Sequence, residues 1–384
     1  MRRVVLALLF ATSAFAQAPR PDLADQLTIR SKVLGETRTA IVRLPRSYRT
    51  GASSYPVLYM TDGDIHIFHT AATIDFLVVN GRMPEAIVVA IPNTDRTRDL
   101  TPTHVEPPDP ADRRLRTSGG ADKFLAFIAT ELVPEIERSY RTQPYRVLLG
   151  HSHGGLFALH AAFTRPDLFQ AWIAVSPSLA WDDGLISREA SALFDRTREA
   201  RGTLFVSAGA EGVENDRAFD DFQRLLKRRA PKSFEWTAMR FPDEDHGSTV
   251  LPAHHAGLKK VFESWRFRVD RNDDVRVLPS RMRDHYASLS KRVGYQVPLP
   301  EGTRNAVAYR LLQANQVDRA IELFQENVAA YPASANVHDS LGEAWETKGD
   351  LARAKEQYAR AVELGAITDD PNLAVYRRNF DRVK

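Results

Sequence analysis

Gly150-His151-Ser152-His153-Gly154 sets a hydroxyl between two glycines where an apolar run, Val147 to Leu149, gives way to an apolar helical pattern (Leu156, Phe157, Leu159, Ala162, Phe163). That is the strand–turn–helix setting a Gly-x-Ser-x-Gly nucleophile turn requires. A serine on so sharp a turn forces its flanking backbone against neighbouring segments, and glycines, lacking Cβ, leave the room. The helix starting there points its positive end at the serine and favours negative charge developing on it.

A neutral hydroxyl is a weak nucleophile and needs a base within hydrogen-bond reach; histidine titrates near neutrality. Of the 11 histidines, His246 stands in a loop after the last expected strand, beside Gly247. His254 and His255 fall at the expected start of a helix, and His285 and His338 lie beyond the catalytic unit. His151 and His153 flank the serine, and such chain neighbours are expected to point away. Acyl transfer on a parallel sheet takes its residues in the order nucleophile, acid, histidine. Glu211, Glu214 and Asp216 all satisfy it. Glu211 follows its strand most closely and is preferred, with the other two kept open. The acid would hold the imidazole tautomer and stabilise the imidazolium. The oxyanion hole is expected from the backbone N–H of His153 and from that of Asp64, in the loop after the strand Tyr55 to Met60. Asp62, Asp64, His66 and His69 have the donor types of a metal site. The serine constellation supplies complete chemistry without one, so neither metal nor cofactor is expected.

The elements that must position these residues alternate along the chain. A hairpin is expected at 27–30 and 39–44 around Gly35. Strands follow at 55–60, 86–91, 147–149, 171–175, 203–207 and 234–241. Helical patterns separate them at 67–78, 121–140 (with a kink at Pro134), from 154, at 216–229 and at 256–265. A polar loop spans 94–118. This alternation predicts an α/β domain over 27–266, with a mainly parallel sheet and helices on both faces. Residues 267–302 read as a linker carrying one helix. Beyond them Leu311, Ala320 and Phe324 recur 34 residues later as Trp345, Ala354 and Tyr358, the tetratricopeptide period, giving a small all-α repeat segment over 303–370. Two repeats do not close a solenoid alone, so they would lean on the linker helix, the catalytic domain or another subunit, a protein partner or a second copy in a homodimer.

Bulk properties narrow the setting. Lys+Arg number 52 against 49 Asp+Glu, with no basic tract, so no nucleic-acid partner is expected. Met1-Arg2-Arg3, a short apolar stretch and Ala14-Phe15-Ala16 read as a signal peptide over 1–16, and no later segment is apolar enough for membrane insertion. With no cysteine, thiol chemistry and a lipid-bearing cysteine are excluded. A periplasmic or secreted protein is expected.

Five stretches together resemble the putative esterase (esterase D-like) family: Tyr55 to Gly63; Asn93 with Arg98-Asp99-Leu100-Thr101-Pro102; Gly150 to Gly155; Ser176-Pro177-Ser178 with Trp181-Asp182; and His246-Gly247. The family includes siderophore, feruloyl and acetyl-xylan esterases and mycolyltransferases. The resemblance implies an α/β-hydrolase fold, Ser152 and His246 as catalytic residues, and the Asp64 and His153 N–H groups as the oxyanion hole. It also implies Trp181 lining the substrate pocket and the Arg98 loop bordering the cleft. Arg96 and Arg98 have the chemistry to clasp an anionic substrate. The expected activity is hydrolysis of a small-molecule carboxylic ester. An acyltransferase, or a non-catalytic binding protein acting through its repeats, are the alternatives.

Overall fold

The computed structural model describes residues 25–384 apart from 108–112, 114 and 271; the signal peptide expected at 1–16 lies outside the described residues. An eight-stranded sheet runs in the order β1 (Asp25–Arg30), β2 (Thr37–Arg43), β4 (Ile87–Ala90), β3 (Tyr55–Met60), β5 (Thr142–His151), β6 (Ala171–Val175), β7 (Gly202–Ala210) and β8 (Phe234–Asp245). β1 and β2 form the expected hairpin, β2 joins β4 antiparallel, and every remaining neighbour is parallel. All of β3, β4 and β6 is buried, as strands covered on both faces must be.

The covering helices are α1 (Gly63–Val79), α2 (Arg96–Leu100), α3 (Ala121–Phe127), α4 (Val133–Ser139), α5 (His153–Thr164), α6 (Trp181–Arg196), α7 (Val213–Arg229) and α8 (Val250–Val261). Every residue of α5 from Gly154 to Phe163 is buried, which fixes the helix that follows the serine at the centre of the core. The kink expected at Pro134 is a wide π turn over Ile128–Leu132, leading into α4 with the proline in its first turn.

Three elements differ from the sequence reading. α8 starts at Val250, not Ala256, because Pro252 sits in the first turn, where its missing N–H leaves no bond unmade; His254 and His255 are therefore mid-helix. The 94–118 loop contains α2, whose first turn is capped by the Asp95 side chain accepting from the Arg98 N–H. α6 was not anticipated. It opens on three left-handed residues, Asp182, Asp183 and Gly184, whose exposed carbonyls at 182 and 183 are taken up by the Arg188 guanidinium.

The first compact unit ends at Val261; residues 77–84 and 262–384 group as a second. That unit holds α9 (Leu278–Val293), α10 (Glu301–Gln313), α11 (Val317–Ala330), α12 (Ala335–Lys348), α13 (Leu351–Thr368) and α14 (Leu373–Arg382), the last beyond the expected repeat boundary. α10 with α11 and α12 with α13 form successive helical hairpins. The residues spaced 34 apart (Leu311 and Trp345, Ala320 and Ala354, Phe324 and Tyr358) are all buried.

Candidate active site

Ser152 occupies the corner between β5 and α5 with φ 59° and ψ −118°. Backbone of this kind costs a non-glycine residue about 1–3 kcal/mol and persists only where its surroundings over-determine it. Here they do. The Ser152 N–H donates to the Val175 carbonyl at 2.9 Å, while the Ser152 carbonyl accepts from Leu156 N–H at 2.9 Å. A Cβ at 150 would lie 2.0 Å from the Gly154 carbonyl oxygen, and one at 154 would lie 2.3 Å from Thr61 Oγ1, so both glycines are required by contact.

His246 follows β8 directly, its side chain half exposed. Its Nδ1–H donates to Glu211 Oε2 at 2.5 Å, and the Glu211 side chain is only 5% exposed, its second oxygen accepting from the Gly209 N–H. Burial alone would raise the Glu211 pKa, but the bonds from His246 and neighbouring donors hold it down at about 2. The Glu211 hydrogen bond raises the pKa of His246 above 6.5, against the opposing effect of burial. With Nδ1–H so engaged, the neutral ring carries its lone pair on Nε2. Of the three candidate acids, Glu211 is the one bonded to this ring among the described residues. Asp216 is paired with Arg240 at 2.6 Å, and Glu214 is exposed in the first turn of α7.

Contrary to expectation, His151 does not point away from the site. Its Nε2 is 2.7 Å from the His246 carbonyl oxygen, and the two rings lie 4.8 Å apart. The residue before Ser152 thus touches His246. Ser152 Oγ itself makes no hydrogen bond to His246 among the described residues; such contacts commonly tighten only in the substrate complex. Burial depresses His151 and His153 to a pKa of about 4, so both rings are neutral at physiological pH.

The N–H groups of Asp64 and His153 lie in the first turns of α1 and α5, where no preceding turn supplies an acceptor. Their two turns touch, Thr61 N–H donating to the Leu149 carbonyl at 3.1 Å and Gly154 lying against Thr61, while Gly63 N–H ties the α1 turn to the Ile91 carbonyl after β4 at 3.0 Å. Asp62, buried with φ 53°, accepts from Asn93 Nδ2 at 2.6 Å and from Arg96 Nε and Nη2 at 2.7 and 3.0 Å. Arg96 Nη2 also reaches the His151 carbonyl at 3.2 Å.

The role expected for Arg98 needs correction. Its guanidinium is spent on Glu36 (2.7 Å) and Asp99 (2.7 Å), in a network that includes the buried Arg38–Asp99 pair, and the arginine at the site is Arg96. The 94–118 loop meets Trp181 through Thr103 Oγ1, which accepts from the indole N–H at 3.1 Å. The Trp181 ring stands edge-on to His153 at 5.4 Å. The four residues weighed as metal donors do not converge: Asp62 is engaged by Arg96, Asp64 is exposed, and His66 and His69 pack against the ring of His254. The sequence named Arg96 only as a possible anion clasp and His151 only as a flanking residue; their contacts to Asp62 and His246, and the role of Thr103, were not foreseen. A hint for Arg96 was its place just after a strand-end Asn93, facing a strand-end acid.

Ser152 thus stands on a strained strand–helix corner, its neighbour His151 bonded to the His246 carbonyl, and the His246 ring is bonded to the buried Glu211. Residues 31–224 match the family model described as Putative esterase. The chain is 34% identical over 213 residues to the siderophore enterobactin esterase of Emericella nidulans, covering 45% of this chain and 69% of that one. It is 33% identical over 197 residues to the ferri-bacillibactin esterase BesA of Bacillus subtilis, covering 45% and 67%. An IroE-like serine hydrolase from Shewanella oneidensis superposes with a TM-score of 0.67 at 28% identity, over 80% of this chain and 98% of that one. The chain belongs to this esterase family. It is a carboxylic-ester hydrolase.

Proposed function

We propose that the chain is a serine esterase working through an acyl-enzyme on Ser152. The observation that carries this reading is the left-handed Ser152 corner lying against the His246 loop, whose ring is bonded to Glu211. Ser152 Oγ attacks the ester carbonyl as His246 Nε2 takes its proton, and the oxyanion settles on the Asp64 and His153 N–H groups. His246 returns the proton to the leaving alcohol. Water, deprotonated by the same ring, then releases the acid and regenerates the serine. Trp181 lines the pocket beside His153. Solvent reaches the half-exposed His246, so water can serve as the second acceptor.

Enterobactin and ferri-bacillibactin, named for the relatives, are the first substrates to test beside p-nitrophenyl acetate. Turnover of either siderophore with kcat/KM well above that of the simple ester supports a siderophore esterase; turnover of the simple ester alone assigns a different ester. Export after cleavage at Ala16 belongs to the same proposal. N-terminal sequencing of the protein made with its leader should begin at Gln17, and an intact Met1 in the cytoplasm would refute it. The buried residues spaced 34 apart support a tetratricopeptide reading of the two hairpins and a protein or second-copy contact through them. Binding lost on truncation after 300, with esterase activity kept, is the expected signature.

A further inference from the structure

Asp62 and Ser152, neither of them glycine, sit at the ends of adjacent parallel strands with φ 53° and 59°, as does Ser176 with φ 43° at the end of the next strand, β6. The first two each open a turn whose next N–H groups lead into a helix: Asp64 in α1, His153 in α5. One side chain joins the turns. Arg96 Nε and Nη2 donate to the two carboxylate oxygens of Asp62, and Nη2 donates again to the carbonyl of His151, immediately before the serine. Asn93 adds a further bond to Asp62 Oδ1, and the Asp62 carbonyl accepts from the N–H groups of Ile65 and His66, fixing the start of α1.

Resting on the serine-esterase reading, we propose that Arg96 is a positioning residue: by clamping the Asp62 carboxylate to the His151 carbonyl it holds the Asp64 and His153 N–H groups at the spacing the oxyanion needs. The two turns have no slack of their own, since a Cβ at 154 would meet Thr61 Oγ1 at 2.3 Å and Asp62 Oδ2 at 3.1 Å. What contact alone leaves free is rotation of one strained turn against the other. A planar, bidentate guanidinium with a third bond across the gap removes that freedom; a lysine ammonium, a single point charge, does not. The guanidinium also lies close enough to lower the proton affinity of both His246 and His153. Its charge therefore adds to the field in which the oxyanion forms.

Misplaced N–H groups weaken the transition state far more than the bound ester, so the clamp should show in kcat rather than KM. The test compares Arg96→Gln, Arg96→Lys and Asp62→Asn with the wild type for kcat and KM on p-nitrophenyl acetate and for affinity toward phenylboronic acid, which forms a tetrahedral adduct on serine. Arg96→Gln should lower kcat by about 10²- to 10³-fold, the range for losing an oxyanion donor, with KM changed less than about threefold. Boronate affinity should weaken by the same factor as kcat/KM. Arg96→Lys should recover little. Asp62→Asn keeps shape and tolerates the left-handed backbone, so it reports the clamp even where the Gln variant folds poorly. A raised KM at unchanged kcat, boronate affinity at the wild-type level, or full activity in the Lys variant overturns the proposal. Ser152→Ala, run alongside, separates the two readings. If it is inactive while Arg96→Gln works normally, only the clamp fails; if it retains activity, the serine mechanism itself fails.

Discussion

The imidazole of His246 is tethered by Nδ1 to a carboxylate, Glu211, that is almost wholly buried, while the ring itself is about half open to solvent. The carboxylate is thus held just beyond the end of β7, and the imidazole rides on a loop that it restrains.

That tether sets the pH response. Glu211 raises the His246 pKa above 6.5, and only the neutral ring accepts the serine proton. As pH falls through this raised value the ring protonates, so kcat/KM should fall on the acid side with a midpoint above that of free imidazole. Glu211→Gln removes the carboxylate, so the midpoint should move to lower pH. The maximum rate should drop by about 10²- to 10⁴-fold as the tautomer is lost. An unmoved midpoint would show that another group titrates.

The strain at Ser152 predicts a stability difference between two inactive variants. Alanine at 152 keeps the penalty of φ 59°; glycine does not. Ser152→Gly should be more stable than Ser152→Ala by an unfolding free energy on the order of 1 kcal/mol. An alanine variant clearly more stable than the glycine one would argue that the corner is unstrained.

Gly154→Ala tests the contact between the two turns. The added methyl would have to displace the Thr61 hydroxyl, 2.3 Å from its position, and overpacking of this kind costs about 1–3 kcal/mol. Activity should fall by more than the melting temperature suggests, because the displaced turn carries Asp64. Wild-type kinetics in a folded Gly154→Ala protein would contradict the shared-turn geometry.

Local chemistry made much of this molecule legible in its sequence. Val147 to Gly155 declares a strand, a corner and a helix because hydrophobic period and glycine placement change within a few residues. The buried strands 55–60 and 171–175 show as unbroken apolar runs. What the sequence withheld depends on distance through space. Glu211, Glu214 and Asp216 are equivalent along the chain, and only the fold brings one to Nδ1 of His246 while Arg240 takes another. Arg96 and Arg98 differ by two positions, yet α2 turns one toward Asp62 and the other toward Glu36. α6 escaped notice because its first turn is left-handed at Asp182 to Gly184, which reads as loop chemistry.

The most direct test of the account is intact-mass and peptide mass spectrometry of the protein after reaction with a fluorophosphonate, which captures an activated serine covalently. One adduct per chain is expected, on Ser152, abolished in Ser152→Ala and slowed in Glu211→Gln. No adduct, or one on a different residue, would contradict the claim that Ser152 is the nucleophile.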